Sequence, residues 1–283
     1  MAAPSAQVAA ALEVWGDPIE HSLSPALHRA AYRELGWPWT YDRRRVGEAA
    51  FAAELAGLDA RFRGLSLTMP LKGAAFAAAA VRDDRAELTG AVNTLLLTGD
   101  ARRGFNTDVG GIVRSLAEEG IVALEDARIV GAGATATSAL VALAELGAAY
   151  IEVVARRPRA VASLQDLGNR LGITVLPVPL DAPAHGSLAL TVATLPGGAR
   201  VGEHVSDALA AAGGPLLDVV YGHWPTALSA AWERAGLLAI DGAGMLLHQA
   251  LLQIRIFATG DPAVALPDED AVVAVMRRAL VGG

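Results

Sequence analysis

Gly131-Ala132-Gly133-Ala134-Thr135-Ala136 follows the apolar run Arg128-Ile129-Val130 and opens a helical pattern. This glycine spacing means something only between a strand and a helix, and both are indicated here. Gly131 permits a tight turn, and Gly133 lets the backbone approach a pyrophosphate. Helix-terminal N–H groups then face the negative charge. Ala136 is the third small residue, where helix and strand pack closely. The segment predicts a dinucleotide-binding sheet, with Gly131, Gly133, Ala134 and Ala136 against the cofactor.

The surrounding pattern agrees. A helix is expected over about 110–119, ended by Gly120, and another over 135–146. Strands are expected at 128–130, 151–154, 173–178, 188–194, 216–221 and 237–240, with helical runs between several of them. This is the rhythm of a parallel sheet covered by helices. The first hundred residues alternate strand and helix differently. Leu12-Glu13-Val14-Trp15 reads as a strand, and others are expected near Tyr41 and over 64–68. Ser24 offers a helix N-cap, with Pro25 at the first helical position. The runs 92–97 and 102–106 read as a hairpin turning at Thr98-Gly99-Asp100. Two helices close the chain, over about 244–257 and 268–280, the second with Asp268 as its cap. Two helices add nothing to a finished sheet, so they are expected to return to the first domain. The fold class is therefore α/β. Residues 1–107, completed by 243–283, form one α/β domain, and 108–242 form a Rossmann-type doubly wound domain, with a hinge near Gly242.

Composition narrows the function. More than half of the chain is apolar, but only 5% is aromatic, so alanine, leucine and valine carry the packing. A net charge of -7 and the lack of a basic tract argue against nucleic acid as a partner. With no cysteine, disulfides, thiol nucleophiles and thiolate metal sites are excluded. The apolar stretch 131–155 is broken by Glu145, Gly147 and Glu152, so no membrane span is expected. The N-terminal stretch lacks the basic start of a signal peptide. A cytoplasmic enzyme of small molecules is expected, and a monomer or a homodimer fits equally.

The end of the second strand of the dinucleotide domain selects the cofactor. A site for NAD usually carries an acid there for the ribose 2′-hydroxyl. This chain has Ala155-Arg156-Arg157, and Glu152 sits too early in the strand. A guanidinium fork suits a 2′-phosphate, so NADP is the expected cofactor, with Arg156 as main contact and Arg157 beside it. The alternative is a solvated arginine pair at a strand end.

Upstream stand several polar signatures: His21-Ser22-Leu23-Ser24-Pro25, Thr68-Met69-Pro70-Leu71-Lys72, Gly90-Ala91-Val92-Asn93-Thr94 and Gly104-Phe105-Asn106-Thr107-Asp108. Lys72 falls in the first turn of a helix begun by Pro70, where a cation opposes the helix dipole. It is either an exposed lysine or an acid–base group. Asp108 either caps the following helix or leaves that task to Thr107 and keeps its carboxylate for chemistry. A lysine and an aspartate in one site titrate together, and such a pair could protonate a carbonyl oxygen as hydride arrives. Ser22 and Ser24 are candidates for binding, with capping as the alternative for Ser24. Asn93 is a candidate or an ordinary amide beside a turn. Gln249 shares an otherwise apolar helix face with Met245, Leu252 and Ile256, so its amide needs a partner, and a ligand is a candidate. No histidine spacing suits a metal, and Ser66 lacks the glycines of a nucleophile elbow.

In this order the motifs resemble those of the shikimate dehydrogenases, over about residues 15–260. The resemblance implies a substrate domain and a Rossmann domain flanking a cleft. It implies NADP-dependent interconversion of 3-dehydroshikimate and shikimate without a metal. It assigns Ser22 and Ser24 to the substrate carboxylate, and Thr68, Asn93 and Gln249 to the hydroxyls. Lys72 and Asp108 become the catalytic pair, with Asp108 also touching substrate. Tyr221 lies near substrate and nicotinamide, Gly242 and Met245 border the nicotinamide, and Thr194 joins the cofactor site. The chain departs from the family pattern at Arg29, Ser66, Ala134, His223 and Ala193, which puts supporting contacts and substrate breadth in question. A quinate/shikimate or aminoshikimate dehydrogenase, or a non-catalytic NADP-binding sensor, remain the alternatives.

Overall fold

The computed structural model describes residues 9–182, 186–222 and 224–281. It divides into two compact units. One reaches to Gly111 and resumes at Leu246, and the other is Ile112–Met245.

The first unit begins with β1 (Ala10–Gly16), α1 (Ser24–Glu34), β2 (Trp39–Arg45), α2 (Glu48–Ala56), β3 (Phe62–Leu67) and α3 (Lys72–Ala78). It continues through β4 (Val81–Arg82), α4 (Asp84–Thr89), β5 (Thr94–Leu96) and β6 (Arg103–Phe105) into α5 (Thr107–Glu118). Its six strands lie in the order β2-β1-β3-β5-β6-β4. β1, β2 and β3 are parallel, whereas β5 runs antiparallel to both β3 and β6. The expected hairpin is thus β5–β6. Leu65, Leu67, Leu71, Phe51 and Leu95 pack with Trp15 in a core on this sheet.

The second unit holds β7 (Asp126–Val130), α6 (Ala134–Glu145), β8 (Tyr150–Ala155), α7 (Ala162–Leu171), β9 (Thr174–Pro179), β10 (Thr191–Ala193), α8 (Glu203–Ala211), β11 (Leu216–Asp218), α9 (Ala227–Arg234) and β12 (Ala239–Ile240). All paired strands are parallel, in the order β12-β11-β10-β7-β8-β9. The order reverses between β7 and β10, as in a doubly wound dinucleotide sheet. Val130, Val154, Val178, Ala193 and Leu216 from five neighbouring strands supply its core with Trp232.

Two helices close the chain, α10 (Ala243–Thr259) and α11 (Glu269–Val281). The unit boundaries fall inside α5 and α10 rather than before them. α10 is buried continuously from Met245 to Ala258, as an all-round apolar helix should be. It lies hard against β3: a Cβ on Gly64 would come within 2.4 Å of the Phe257 ring. The polar residues in α10, among them Gln249 and Gln253, are consequently buried and need partners inside the protein. Among the described residues no helix is long and apolar enough to cross a membrane.

Candidate active site

Three turns of the first unit converge on one carboxylate. Lys72 is the first residue of α3, after a turn in which Leu71 N–H donates to Thr68 O at 2.8 Å. Pro70 stands in that turn and not in the helix, contrary to expectation. Asn93 precedes β5, and Asp108 is the second residue of α5. Lys72 Nζ donates to Asp108 Oδ2 at 2.5 Å, with side chains only 16% and 8% exposed. Asn93 Nδ2 donates to Asp108 Oδ1 at 2.8 Å and to Thr107 Oγ1 at 2.9 Å. Asn93 Oδ1 accepts from Thr107 N, Thr107 Oγ1 and Thr94 Oγ1. Both amide hydrogens of Asn93 are therefore engaged, and Asp108 has one oxygen on an ammonium and the other on an amide.

α5 starts at Thr107, three residues earlier than the sequence pattern suggests, and neither Thr107 nor Asp108 is its cap. Asn106 Oδ1 accepts from Asp108 N at 3.0 Å, as an N-cap does. Asn106 is fixed in turn by Thr89 Oγ1 and by Asp83, whose carboxylate accepts from Asn106 N at 3.2 Å and from Ala86 N at 2.8 Å. Burial raises the Asp83 carboxyl above its ordinary value, against these backbone bonds. The outcome is that the Asp108 carboxylate is not consumed by capping.

Ser24 also departs from its expected place. α1 begins at Ser24 itself, its N-cap is Leu23 in a helical conformation, and no side chain caps it. Ser24 is buried beside Tyr41, and its N–H approaches Ser22 Oγ at 3.4 Å. Thr68 is half-buried where β3 leaves the sheet, and its N–H donates to Trp15 O. A Cβ on Gly16 would lie 2.4 Å from Thr68 Cγ2, so this close approach needs glycine. Gln249 is buried and donates Nε2–H to Leu246 O of its own helix at 2.9 Å. An open depression of about 500 Å³ beside α1 is lined by Ser22, Arg29, Asp42 and Arg43, and it includes none of Lys72, Asn93 and Asp108. Arg29 ties β2 to α1 through Tyr41 O and an ion pair with Asp42, away from the carboxylate cluster.

In the second unit the turn after β7 is tight. Gly131 has φ +121°, and a Cβ there would lie 2.5 Å from Thr194 Oγ1. Thr194 follows β10 and donates its N–H to Val130 O at 2.8 Å. Gly131 and Thr194 thus meet where the strand order reverses, the place at which such sheets take their ligands. Gly133 caps α6 with extended backbone, Gly133 and Ala134 are exposed, and Ala136 is fully buried against the sheet. The open helix N-terminus fits a pyrophosphate. At the end of β8, Arg156 and Arg157 are exposed, with neither guanidinium bonded to a described residue. Glu152 is engaged elsewhere: it accepts from Arg128 at 2.9 Å on the neighbouring strand, both side chains buried. Tyr221 follows β11, close in sequence to Asp218. Burial raises the Asp218 carboxyl, which accepts from Thr226 Oγ1 at 2.7 Å. Gly242 lies against Val219, where a Cβ would sit 2.2 Å from the carbonyl oxygen. Met245 is buried in the first turns of α10. His223 lies outside the described residues.

Residues 14–95 match the model of the shikimate dehydrogenase substrate binding domain. The shikimate dehydrogenase (NADP(+)) of Methylobacterium radiotolerans is 38% identical over 273 residues, covering 92% of this chain and 95% of that one. The chain belongs to the shikimate dehydrogenase family. Its fold is shared with the shikimate dehydrogenase of Mycobacterium tuberculosis, at 39% identity and a TM-score of 0.84 over 97% of this chain and 100% of that one. The Thermus thermophilus shikimate 5-dehydrogenase, solved in complex with NADP(H) and shikimate, is 30% identical with a TM-score of 0.78, covering 95% of this chain and 99% of that one.

This member of the shikimate dehydrogenases carries a buried polar network that its motifs do not announce. Tyr41 OH donates to Ser66 Oγ at 2.6 Å, and Ser66 Oγ donates to Gln253 Oε1 at 2.8 Å. His28 Nε2 meets the same Gln253 oxygen at 3.2 Å, and His28 Nδ1 meets Tyr32 OH at 2.9 Å. Gln253 Nε2 donates to Asn93 O at 3.2 Å. Burial holds the His28 pKa down to about 3, so the ring is neutral, with its proton on Nε2 facing the glutamine oxygen. Burial also raises the Tyr41 and Tyr32 phenols, which stay protonated donors. The usable sequence signal was a second glutamine one turn beyond Gln249, in a helix otherwise fit for burial.

Proposed function

We propose that this chain catalyses the reversible, NADPH-dependent reduction of 3-dehydroshikimate to shikimate, a step of aromatic amino-acid biosynthesis. The observation that carries the reading is the Lys72–Asp108 pair, 2.5 Å apart and largely withdrawn from solvent. NADPH, when bound, supplies the hydride. The chain must then deliver a proton to the oxygen of the ketone that accepts it. Lys72 has three N–H groups and gives one to Asp108, so two can face a substrate. The pair protonates the carbonyl oxygen as negative charge develops there, and takes the proton back in the reverse direction.

The remaining residues bind and orient. Ser22 and Ser24 donate to the substrate carboxylate, and Ser24 can do so because it caps no helix. Thr68 and Gln249 read hydroxyls, Gln249 through its carbonyl or its second amide hydrogen, since Leu246 O takes only one. Asn93 reaches a hydroxyl only by exchanging one of its bonds, so its first task is to hold Asp108. For the cofactor, the Gly131 turn and the first N–H groups of α6 take the pyrophosphate, with Gly133, Ala134, Ala136 and Thr194 shaping the turn. Arg156 and Arg157 clasp the 2′-phosphate, and charge-assisted bonds of this kind contribute ~1.5–3 kcal/mol. Tyr221, Gly242 and Met245 border the nicotinamide.

A spectrophotometric assay of shikimate and quinate against NADP⁺ and NAD⁺ tests this reading. Turnover is expected with shikimate and NADP⁺. Preference for quinate with NAD⁺ would assign the chain to quinate catabolism, and ligand binding without turnover would make it a sensor.

A further inference from the structure

The Asn93 carbonyl receives two donors. One is the Leu67 N–H of β3 at 2.7 Å, and the other is Gln253 Nε2 of α10 at 3.2 Å. The Asn93 side chain, on the same residue, fixes both Thr107 and Asp108. Whatever orients the Asn93 backbone therefore orients the carboxylate that faces Lys72. A glutamine amide can do this only if it is turned the right way round. Here its orientation is set twice. Ser66 and His28 both present a hydrogen to Oε1, so Oε1 must point at them and Nε2 at Asn93. His28 can present that hydrogen because Tyr32 OH occupies its other nitrogen and Tyr41 stacks on its ring at 3.9 Å. Tyr41 also fixes Ser66 through its hydroxyl.

We propose that Gln253 is a positioning residue for catalysis: the Tyr41–Ser66–Gln253 relay, with His28 setting the amide orientation, holds Asn93 and through it Asp108 in line with Lys72. The inference rests on the reading of Lys72 and Asp108 as the proton-transferring pair. Gln253 touches neither of them, and acts entirely through Asn93. The network spans β2, β3, α1 and α10 and closes on the turn before β5. Each buried polar atom it uses is matched by a complementary partner, so it tolerates no single deletion without leaving a group unmet.

The test compares three variants with the parent enzyme in the shikimate-oxidation assay. Gln253→Met keeps the shape and length of the side chain but neither accepts nor donates as an amide. Ser66→Ala removes one of the two hydrogens that set the amide. Met276→Ala, at a fully buried position of α11, is a control for general destabilisation of the same unit. Gln253→Met is expected to lower kcat by between about 10- and 100-fold, the scale of a misplacement propagated to a reacting group. Its KM for NADP⁺ should stay within about twofold of the parent. Ser66→Ala should lower kcat by about 3-fold, because His28 still donates. Met276→Ala should lower Tm with kcat nearly unchanged. Parental kcat in Gln253→Met would overturn the proposal, and so would a control that loses kcat in step with its Tm. If Gln253→Met does not fold, Ser66→Ala decides, and an unchanged kcat there overturns it. A parent that does not oxidise shikimate, or a Lys72→Ala variant with parental kcat, would instead remove the underlying assignment of the pair.

Discussion

Asn93 and Asp108 meet at 2.8 Å through the asparagine amide, on the carboxylate oxygen that Lys72 does not use. The carboxylate is thereby held from two sides, by a charge and by a neutral donor, while its helix is capped by Asn106. This separation of tasks leaves the Asp108 carboxylate free of capping and paired with Lys72.

Lys72→Ala should lower kcat by ~10²–10⁴, the usual range for a positioned acid–base group. The far-UV circular dichroism should not change. Steady-state kinetics with shikimate and NADP⁺ check this, and a kcat near the parental value would end the assignment.

Arg156→Ala is expected to raise the KM for NADP⁺ and to leave the KM for shikimate as it was. The Arg156 guanidinium is exposed and makes no bond to a described residue, so its removal should hardly affect Tm. A parallel titration with NAD⁺ should show the preference for NADP⁺ narrowing. Equal kcat/KM for the two cofactors in the parent would mean that the arginine pair is only solvated.

Ser24→Ala should weaken shikimate binding without loosening α1, because Leu23 and not Ser24 stands at the cap. The KM for shikimate and the melting temperature together read this out. A lower Tm with unchanged KM would reverse the interpretation.

His28 should make stability depend on pH. Its folded pKa of about 3 lies below the ordinary 6.5, so the unfolded chain binds the proton more readily. The stabilisation is complete above 6.5 and is lost as the pH falls toward 3, with a slope of up to about 1.4 kcal/mol per pH unit. Urea unfolding at pH 7 and pH 5 should show a larger loss for the parent than for His28→Gln. The His28 ring resonances should not titrate between pH 8 and pH 5. A midpoint near 6.5 would contradict the burial argument.

The elements that were legible are those whose signal is local. Gly131 announces a turn because φ +121° and the contact with Thr194 both exclude a side chain. The parallel strands of the second unit are short apolar runs cut by glycine, and their positions follow from that punctuation. Capping was misread at two places for one reason. Ser24-Pro25 has the composition of a cap followed by a first helical residue, but the chain turns helical one residue early, at Leu23. Asn106, Thr107 and Asp108 are all good caps by residue type, and only the fold shows that Asn106 takes the role. The Gln253 relay was not legible, because its partners His28 and Asn93 lie 225 and 160 residues away. The sequence near Gln253 shows only a second glutamine in an otherwise apolar stretch, with nothing to name its partners.

The first unit is built from two distant stretches of chain, whereas Ile112–Met245 is one continuous stretch. During synthesis, the glutamine that locks Asn93 leaves the ribosome only after the whole nucleotide sheet has emerged. The nucleotide sheet has all its strands in hand while the older half still lacks its last helices. A chain cut short before α10 would keep Lys72, Asn93 and Asp108 but lack Gln253, the donor from α10 to the Asn93 carbonyl.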